Sequence, residues 1–174
     1  MEKLFAKQAG DSITNGGALK RWLYRGQKPH LIAKILNRAW ATVASTGVMS
    51  GYLVTLEVTG RKSGRIVSFP VVMAHIDTQR YLVSMLGVEA QWVRNVRAAG
   101  GRAAIRSGGR EQVLLEEVPV ELRAPILKAY LQVASGAQPH IPVNKAAPLA
   151  EFENIAAGYP VFRINTYTGP LASH

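Results

Sequence analysis

The sequence predicts a small, mainly β fold in which a barrel of about six strands surrounds one or two helices. Short segments that alternate apolar and polar residues recur at even spacing, and turns rich in glycine and polar residues separate them. The 174 residues suit one domain with a sizeable core. Hydrophobic residues make up 48% of the chain, which is typical of a globular protein.

The alternation predicts strands at 52–58, 66–76, 80–86, 102–107 and 110–118, and a last strand in "YPVFRIN". Pro70 within the second segment indicates an edge position or a bulge. Helices are predicted at about 89–99, at 120–134 with a kink at Pro125, and near 149–157. Apolar residues at helical spacing predict a further amphipathic helix over about 30–45.

We interpret residues 1–28 as a basic arm and residues 29–174 as one domain. The first residues contain no long apolar run, so no signal peptide is predicted, and a cytoplasmic location is expected. No segment approaches the ~18 apolar residues of a membrane span. Residues 20–45 combine Trp22, Tyr24 and Trp40 with several cations, a mixture that resembles an interfacial helix. Peripheral membrane contact is therefore an alternative to packing of this helix against the barrel.

The formal net charge of +10 favours an anionic partner. Nucleic acid, membrane headgroups and a phosphorylated small molecule all have the required chemistry. Charge alone does not distinguish these three kinds of partner, and the sequence also lacks the common catalytic motifs. It has no cysteine, its four histidines show no metal-ligand spacing, and it contains no Walker loop, GxGxxG or GxSxG motif. No metal site is expected.

The stretch "TGRKSGR" at residues 59–65, here called the basic turn, connects the first two predicted strands. Its cations Arg61, Lys62 and Arg65 could donate charge-assisted hydrogen bonds to phosphate or carboxylate oxygens. The backbone amides of Ser63 and Gly64 could add a concave anion site. The alternative is a solvated hairpin tip whose charges keep the sheet edge soluble.

A second feature lies in "SMLGVEAQWVRN", where a strand end containing Ser84 and Gly87 leads into a helix. Such a junction can bind an anion. Trp92 and Asn95 share one face of that helix. The alternatives are core packing for Trp92 and a solvent-facing or capping position for Asn95.

Together these motifs resemble the deazaflavin-dependent nitroreductase family of actinobacteria. The family pattern contains T-G-R-K-S/T-G, then a proline-containing strand, then R-Y-L-V, then W-x-x-N, and the resemblance is closest over residues 50–118. It implies a split β-barrel, like that of FMN-binding pyridoxine-phosphate oxidases, and binding of the anionic deazaflavin coenzyme F420. FMN is the less favoured cofactor.

By position, the resemblance implies that the phosphate and tail of F420 contact Arg61, Lys62, Ser63 and Gly64, and that its ring region contacts Pro70, Val71, Ser84, Met85, Leu86 and Gly87. Trp92 and Asn95 would pack and orient the cofactor-bearing loop. Arg65 is a further candidate, although the family pattern places no cation there. The segment "LGVEAQ" lacks the basic, glycine-rich insertion of typical members, and "SGAQPHIPV" replaces a segment that carries tyrosines in some of them.

The implied activity is reduction of a conjugated acceptor: a quinone, an enone, a nitro compound or a lipid-like molecule. Ser84, Tyr130, His140 and water are the candidate proton donors, and Leu31, Ile35, Trp40 and Met85 are candidates to line an acceptor pocket. Three alternatives stay open at this point: a non-catalytic carrier, an FMN-binding protein of the same fold, and a basic barrel that binds nucleic acid. No nucleic-acid partner is expected, and both a monomer and a homodimer are compatible with the sequence.

Overall fold

A computed structural model describes residues 52–167 and residue 169. Six strands are present among them: β1 (Leu53–Thr59), β2 (Ile66–Ile76), β3 (Gln79–Val83), β4 (Arg102–Ser107), β5 (Gly109–Glu117) and β6 (Val161–Thr166). All neighbouring strands are antiparallel, in the order β1-β2-β3-β6-β5-β4, and pairing of β4 with β1 closes the barrel. The predicted small barrel is confirmed.

Three α-helices accompany the barrel: α1 (Gln91–Ala98), α2 (Arg123–Val133) and α3 (Leu149–Ile155). Short 3-10 segments occur at Val120–Leu122, Ser135–His140 and Ala156–Gly158. Every described residue belongs to one compact unit of the chain. The predicted arm at 1–28, the helix at 30–45 and the pocket candidates Leu31, Ile35 and Trp40 lie outside the described residues.

Alternation along the strands divides the apolar residues between the barrel interior and one outer face. The interior cluster includes Val54, Leu56 and Val58 of β1, and α1 adds Trp92 and Val96 to it. The outer cluster lies against β2 and β3 and is formed mainly by α2, α3 and the segments that follow them. Helix α1 therefore helps to fill the barrel, whereas α2 and α3 cover its wall.

The strand register places the basic turn and α1 at the same end of the barrel. Glu57 of β1 pairs with Ala104 of β4, so the end of β1 lies beside the start of β4. The basic turn follows β1 directly, and α1 directly precedes β4. Two segments that the sequence separates by about 30 residues are thus brought together.

The structure corrects two local predictions, the end of β3 and the kink at Pro125, and confirms a third, the edge position of Pro70. Strand β3 ends at Val83 and not at residue 86, because a tight turn begins at Ser84. Pro125 does not kink a helix, since α2 begins at Arg123 and its first turn needs no donor from Pro125. Pro70 pairs with β1 only, because β3 pairs with β2 from Met73 onward, and this part of β2 is an edge as predicted.

Candidate functional site

The basic turn is closed by its own backbone. The amide of Gly60 donates to the carbonyl of Arg65 at 2.7 Å, and the amide of Gly64 donates to the carbonyl of Gly60 at 2.8 Å. Gly64 has φ +66°, a left-handed conformation that glycine adopts without a steric penalty. The turn therefore has a defined shape in the absence of any ligand.

This hydrogen bonding corrects one prediction. The amides of Ser63 and Gly64 both donate to the Gly60 carbonyl, so they do not form an anion-binding concavity. The Ser63 hydroxyl accepts a hydrogen bond from the Arg65 amide at 3.3 Å. The amides of Ser63, Gly64 and Arg65 are therefore not available to an anion, whereas the side chains of Lys62 and Arg65 are exposed to solvent.

Arg61 joins the basic turn to α1. Its backbone amide donates to Oδ1 of Asn95 at 3.3 Å, and its Nη1 donates to the same oxygen at 2.9 Å. Nη1 also donates to Oε1 of Gln91 at 2.9 Å. Asn95 is only 5% exposed, so its interpretation as a solvent-facing residue is wrong. The structure thus brings Arg61 of the basic turn and Asn95 of α1 together.

Gln91 is a contact residue that the sequence analysis missed. It lies four residues before Asn95, hence one helical turn away on the same face of α1. That spacing could have identified it once Asn95 was assigned to the turn. Trp92 lies in the interior cluster, 8% exposed, with its ring centroid 5.4 Å from that of Phe162. It anchors α1 in the barrel and so holds the face that meets the turn.

Residues Ser84 to Gly87 form a compact turn at the end of β3. The Ser84 hydroxyl donates to the Gly87 carbonyl at 2.7 Å, and the Gly87 amide donates back to the Ser84 carbonyl at 3.1 Å. Met85 packs against the outer cluster, whereas the side chain of Leu86 is 61% exposed. Leu86 is thus an apolar side chain presented to solvent by a rigid turn.

The three candidate proton donors differ in solvent exposure: Ser84 and Tyr130 are buried, and His140 is exposed. Ser84 is 1% exposed, and its hydroxyl already donates to Gly87. Tyr130 lies in the outer cluster at 2% exposure, and burial raises the pKa of its phenol far above the usual range. Neither has the access that a proton donor needs. His140 is exposed, and its carbonyl accepts a hydrogen bond from the hydroxyl of Tyr159. The role of His140 as a proton donor stays a prediction.

The surroundings of Pro70 and Val71, and of Gln138 in the segment "SGAQPHIPV", limit what these residues can contact. Val71 points into the barrel interior at 7% exposure, so it can meet a ligand only through its backbone. Pro70, its neighbour in β2, points to the opposite face and is half-buried. Gln138 donates to the carbonyl of Val143 at 2.7 Å and accepts from the amide of Lys145, so its amide stabilises the loop after α2 and not a ligand.

The two arginines of α1, and Arg123 at the start of α2, are paired with carboxylates. Arg94 forms an ion pair with Glu89, and Arg97 and Arg123 both pair with Glu117. The hydrogen bond from Arg97 lowers the pKa of Glu117 below its ordinary value. Lys62 forms no hydrogen bond or ion pair with another residue in the described part of the chain. The charge of Lys62 is therefore available to a ligand.

Within residues 52–167, no group of three His, Cys, Asp or Glu side chains could hold a metal ion. No helix among these residues is long and apolar enough to cross a membrane. What remains at this end of the barrel is a cationic turn whose shape its own hydrogen bonds define. This arrangement suits a barrel that binds an anionic cofactor, for which the protein supplies position and charge.

Comparison with known families agrees with that class. The model of the F420H(2)-dependent quinone reductase family matches residues 33–140, more than half of the chain. The chain belongs to this family. It is an F420-dependent oxidoreductase, and coenzyme F420 is its cofactor. A search of curated proteins finds no match.

Similar solved structures include an F420-H2-dependent reductase, FDR-A, at 21% identity, which aligns over 68% of this chain and 97% of its own with a TM-score of 0.46. A second F420 reductase aligns at 15% identity over 68% and 88% of the two chains, with a TM-score of 0.45. A haem-binding protein from Mycobacterium smegmatis aligns at 16% identity over 72% and 48%, with a TM-score of 0.47.

Proposed function

We propose that the basic turn binds the anionic end of F420 and that the enzyme reduces an apolar, conjugated acceptor of the quinone class. The observation that carries the proposal is the exposed Lys62, which has no hydrogen-bond or ion-pair partner among residues 52–167, on a turn that Asn95 fixes to α1. Membership of the F420H(2)-dependent quinone reductase family favours a quinone over an enone, a nitro compound or a lipid-like molecule.

The donor set fits an anionic cofactor. Cationic side chains of the turn face solvent, while the amides of Gly60, Ser63, Gly64 and Arg65 donate within the turn. A phosphodiester or carboxylate oxygen would accept charge-assisted hydrogen bonds from Lys62 and Arg65. Arg61 contributes its positive charge from the base of the turn, where Gln91 and Asn95 hold it.

When bound, reduced F420 supplies the hydride, and the protein needs no nucleophile of its own. The role of the turn is to fix the anionic end of the cofactor relative to the barrel end. The rigid Ser84–Gly87 turn presents Leu86 to an apolar ligand near the same end. His140 is the exposed protein candidate for delivering a proton to the acceptor, and water is the other source.

The test is a fluorescence titration of the full chain with F420 and, in parallel, with FMN. We expect micromolar or tighter binding of F420, and Lys62→Ala should weaken it about tenfold, as for loss of one partly exposed charged hydrogen bond. Lys145→Ala is the matched control, because Lys145 is an exposed lysine in the segment between α2 and α3. Equal affinities of the two variants would refute the role of the turn.

The acceptor is tested by following oxidation of reduced F420 with a quinone and with a nitroaromatic compound. A higher kcat/KM for the quinone supports the proposal, and a preference for the nitro compound overturns the acceptor assignment. Tight binding of F420 without turnover of any acceptor would indicate a carrier.

A further inference from the structure

The contacts of Arg61 differ in kind from those of the neighbouring arginines. Arg94, Arg97 and Arg123 are each paired with a carboxylate, which cancels their charge locally. Arg61 is held by the neutral side-chain oxygens of Gln91 and Asn95. We propose that these two amides position Arg61 and the basic turn while leaving the positive charge of Arg61 uncompensated. The inference rests on the proposed function of the turn.

Burial makes the contact with Asn95 persistent. Asn95 is 5% exposed, and its Oδ1 accepts both the backbone amide and Nη1 of Arg61. Release of Arg61 would leave this buried oxygen without these donors, and an unpaired buried acceptor is costly. The contact therefore restrains the backbone and the side chain of Arg61 at once.

Such restraint favours ligand binding because the turn is ordered before the ligand arrives. A free turn with long cationic side chains would lose conformational freedom on binding, and that loss would weaken affinity. An aspartate at position 95 or a glutamate at position 91 would restrain Arg61 equally well. Each would also place a negative charge beside the site, where it would oppose an anionic ligand.

Positioning and charge can be separated with two variants of one residue. Asn95→Leu removes the acceptor and keeps the γ-branched shape of the side chain. Asn95→Asp retains an acceptor and adds a charge. We expect Asn95→Leu to speed hydrogen exchange of the Arg61 amide about tenfold in the cofactor-free protein and to weaken F420 binding about tenfold, with the same ionic-strength dependence as the parent. Asn95→Asp should leave the exchange unchanged, weaken binding and reduce its ionic-strength dependence.

Two further variants repeat the charge test at a second position and control for the change in net charge. Gln91 is exposed, so Gln91→Glu repeats the charge test at a position where folding is not at risk. Asn154→Asp on α3 makes the same change in net charge on an element that packs against α2. Binding should weaken for Gln91→Glu and not for Asn154→Asp.

The possible outcomes separate this inference from the proposed function. If the parent protein does not bind F420, the proposed function fails, and the exchange measurement still tests the positioning of the turn. If Lys62→Ala weakens binding but Asn95→Leu changes neither exchange nor affinity, the positioning role is refuted. If Asn95→Asp or Gln91→Glu binds F420 as tightly as the parent, the requirement for neutral acceptors is refuted.

Discussion

Arg123 offers the sharpest test of how the wall of the barrel is held to the helices that cover it. Its side chain is 6% exposed and donates three hydrogen bonds: Nε to the Val118 carbonyl at 2.8 Å, Nη1 to the Ala156 carbonyl at 3.3 Å, and Nη2 to Oε1 of Glu117 at 3.0 Å. The residue thereby connects the end of β5, the start of α2 and the segment after α3. Arg123→Met keeps much of the apolar stem and removes every one of these donors.

The magnitude follows from the three bonds. Each bond to a neutral carbonyl contributes about 1 kcal/mol, and the bond to the carboxylate contributes about 1.5–3 kcal/mol. The variant should therefore lose about 3–5 kcal/mol of unfolding free energy, in the range found when one partner of a buried ion pair is removed. For a chain of this size, that corresponds to a fall in Tm of about 6–20 °C.

Thermal unfolding followed by circular dichroism measures the effect. Arg163→Met is the control, because Arg163 forms an ion pair with the exposed Glu116 and should change Tm only slightly. A fall in Tm for Arg123→Met that is no larger than that of Arg163→Met would refute the assignment of Arg123 as a buried connector.

Two further predictions concern the barrel itself. Gly101→Ala should cost about 2 kcal/mol more in unfolding free energy than Gly108→Ala, measured by urea denaturation. Both glycines have positive φ, but a Cβ at residue 101 would lie 2.4 Å from the Leu115 carbonyl oxygen, and a Cβ at residue 108 meets no atom within 4 Å. Equal losses would contradict this account. The second prediction concerns Glu111, whose pKa is lowered from its ordinary value of 4.5 by the hydrogen bond with Arg80. The stabilisation is present above pH 4.5 and is lost as the pH falls through the lowered pKa. Glu111→Gln should therefore be less stable than the parent at neutral pH, by at most about 1 kcal/mol for a partly exposed pair, and the difference should vanish in acid. A difference that persists in acid would exclude this linkage.

The sequence predicted the strands well because their signal is local. Alternation of apolar and polar residues gave β2 its observed bounds and the other strands theirs within a few residues, since each buried face repeats every second residue. It failed at the end of β3, where the apolar residues Met85 and Leu86 continue the pattern although the chain has already turned. A turn closed by a serine hydroxyl is not visible in apolar periodicity.

For the basic turn, residue types alone were not enough to predict the contacts. Residue types identified its cations, but the use of its amides depends on backbone geometry that composition does not specify. Asn95 was assigned to the correct helix face, yet its burial depends on how closely the turn approaches α1, which strand register determines. Gln91 was missed for the same reason, because an exposed glutamine on a helix has no distinctive signal until its partner is placed.

The net charge of +10 does not by itself explain why an anion should bind at this end of the barrel. Among the described residues, seven arginines form ion pairs with five glutamates. Glu57 and Glu117 each pair with two arginines. Carboxylates thus neutralise many of the cations on the barrel and around α1. The basic turn differs because the side chains that hold Arg61 are amides, and Lys62 has no described partner at all. In the proposed anion site, the neutrality of Gln91 and Asn95 therefore matters as much as the cations themselves, which is why a single Asn95→Asp change should weaken binding.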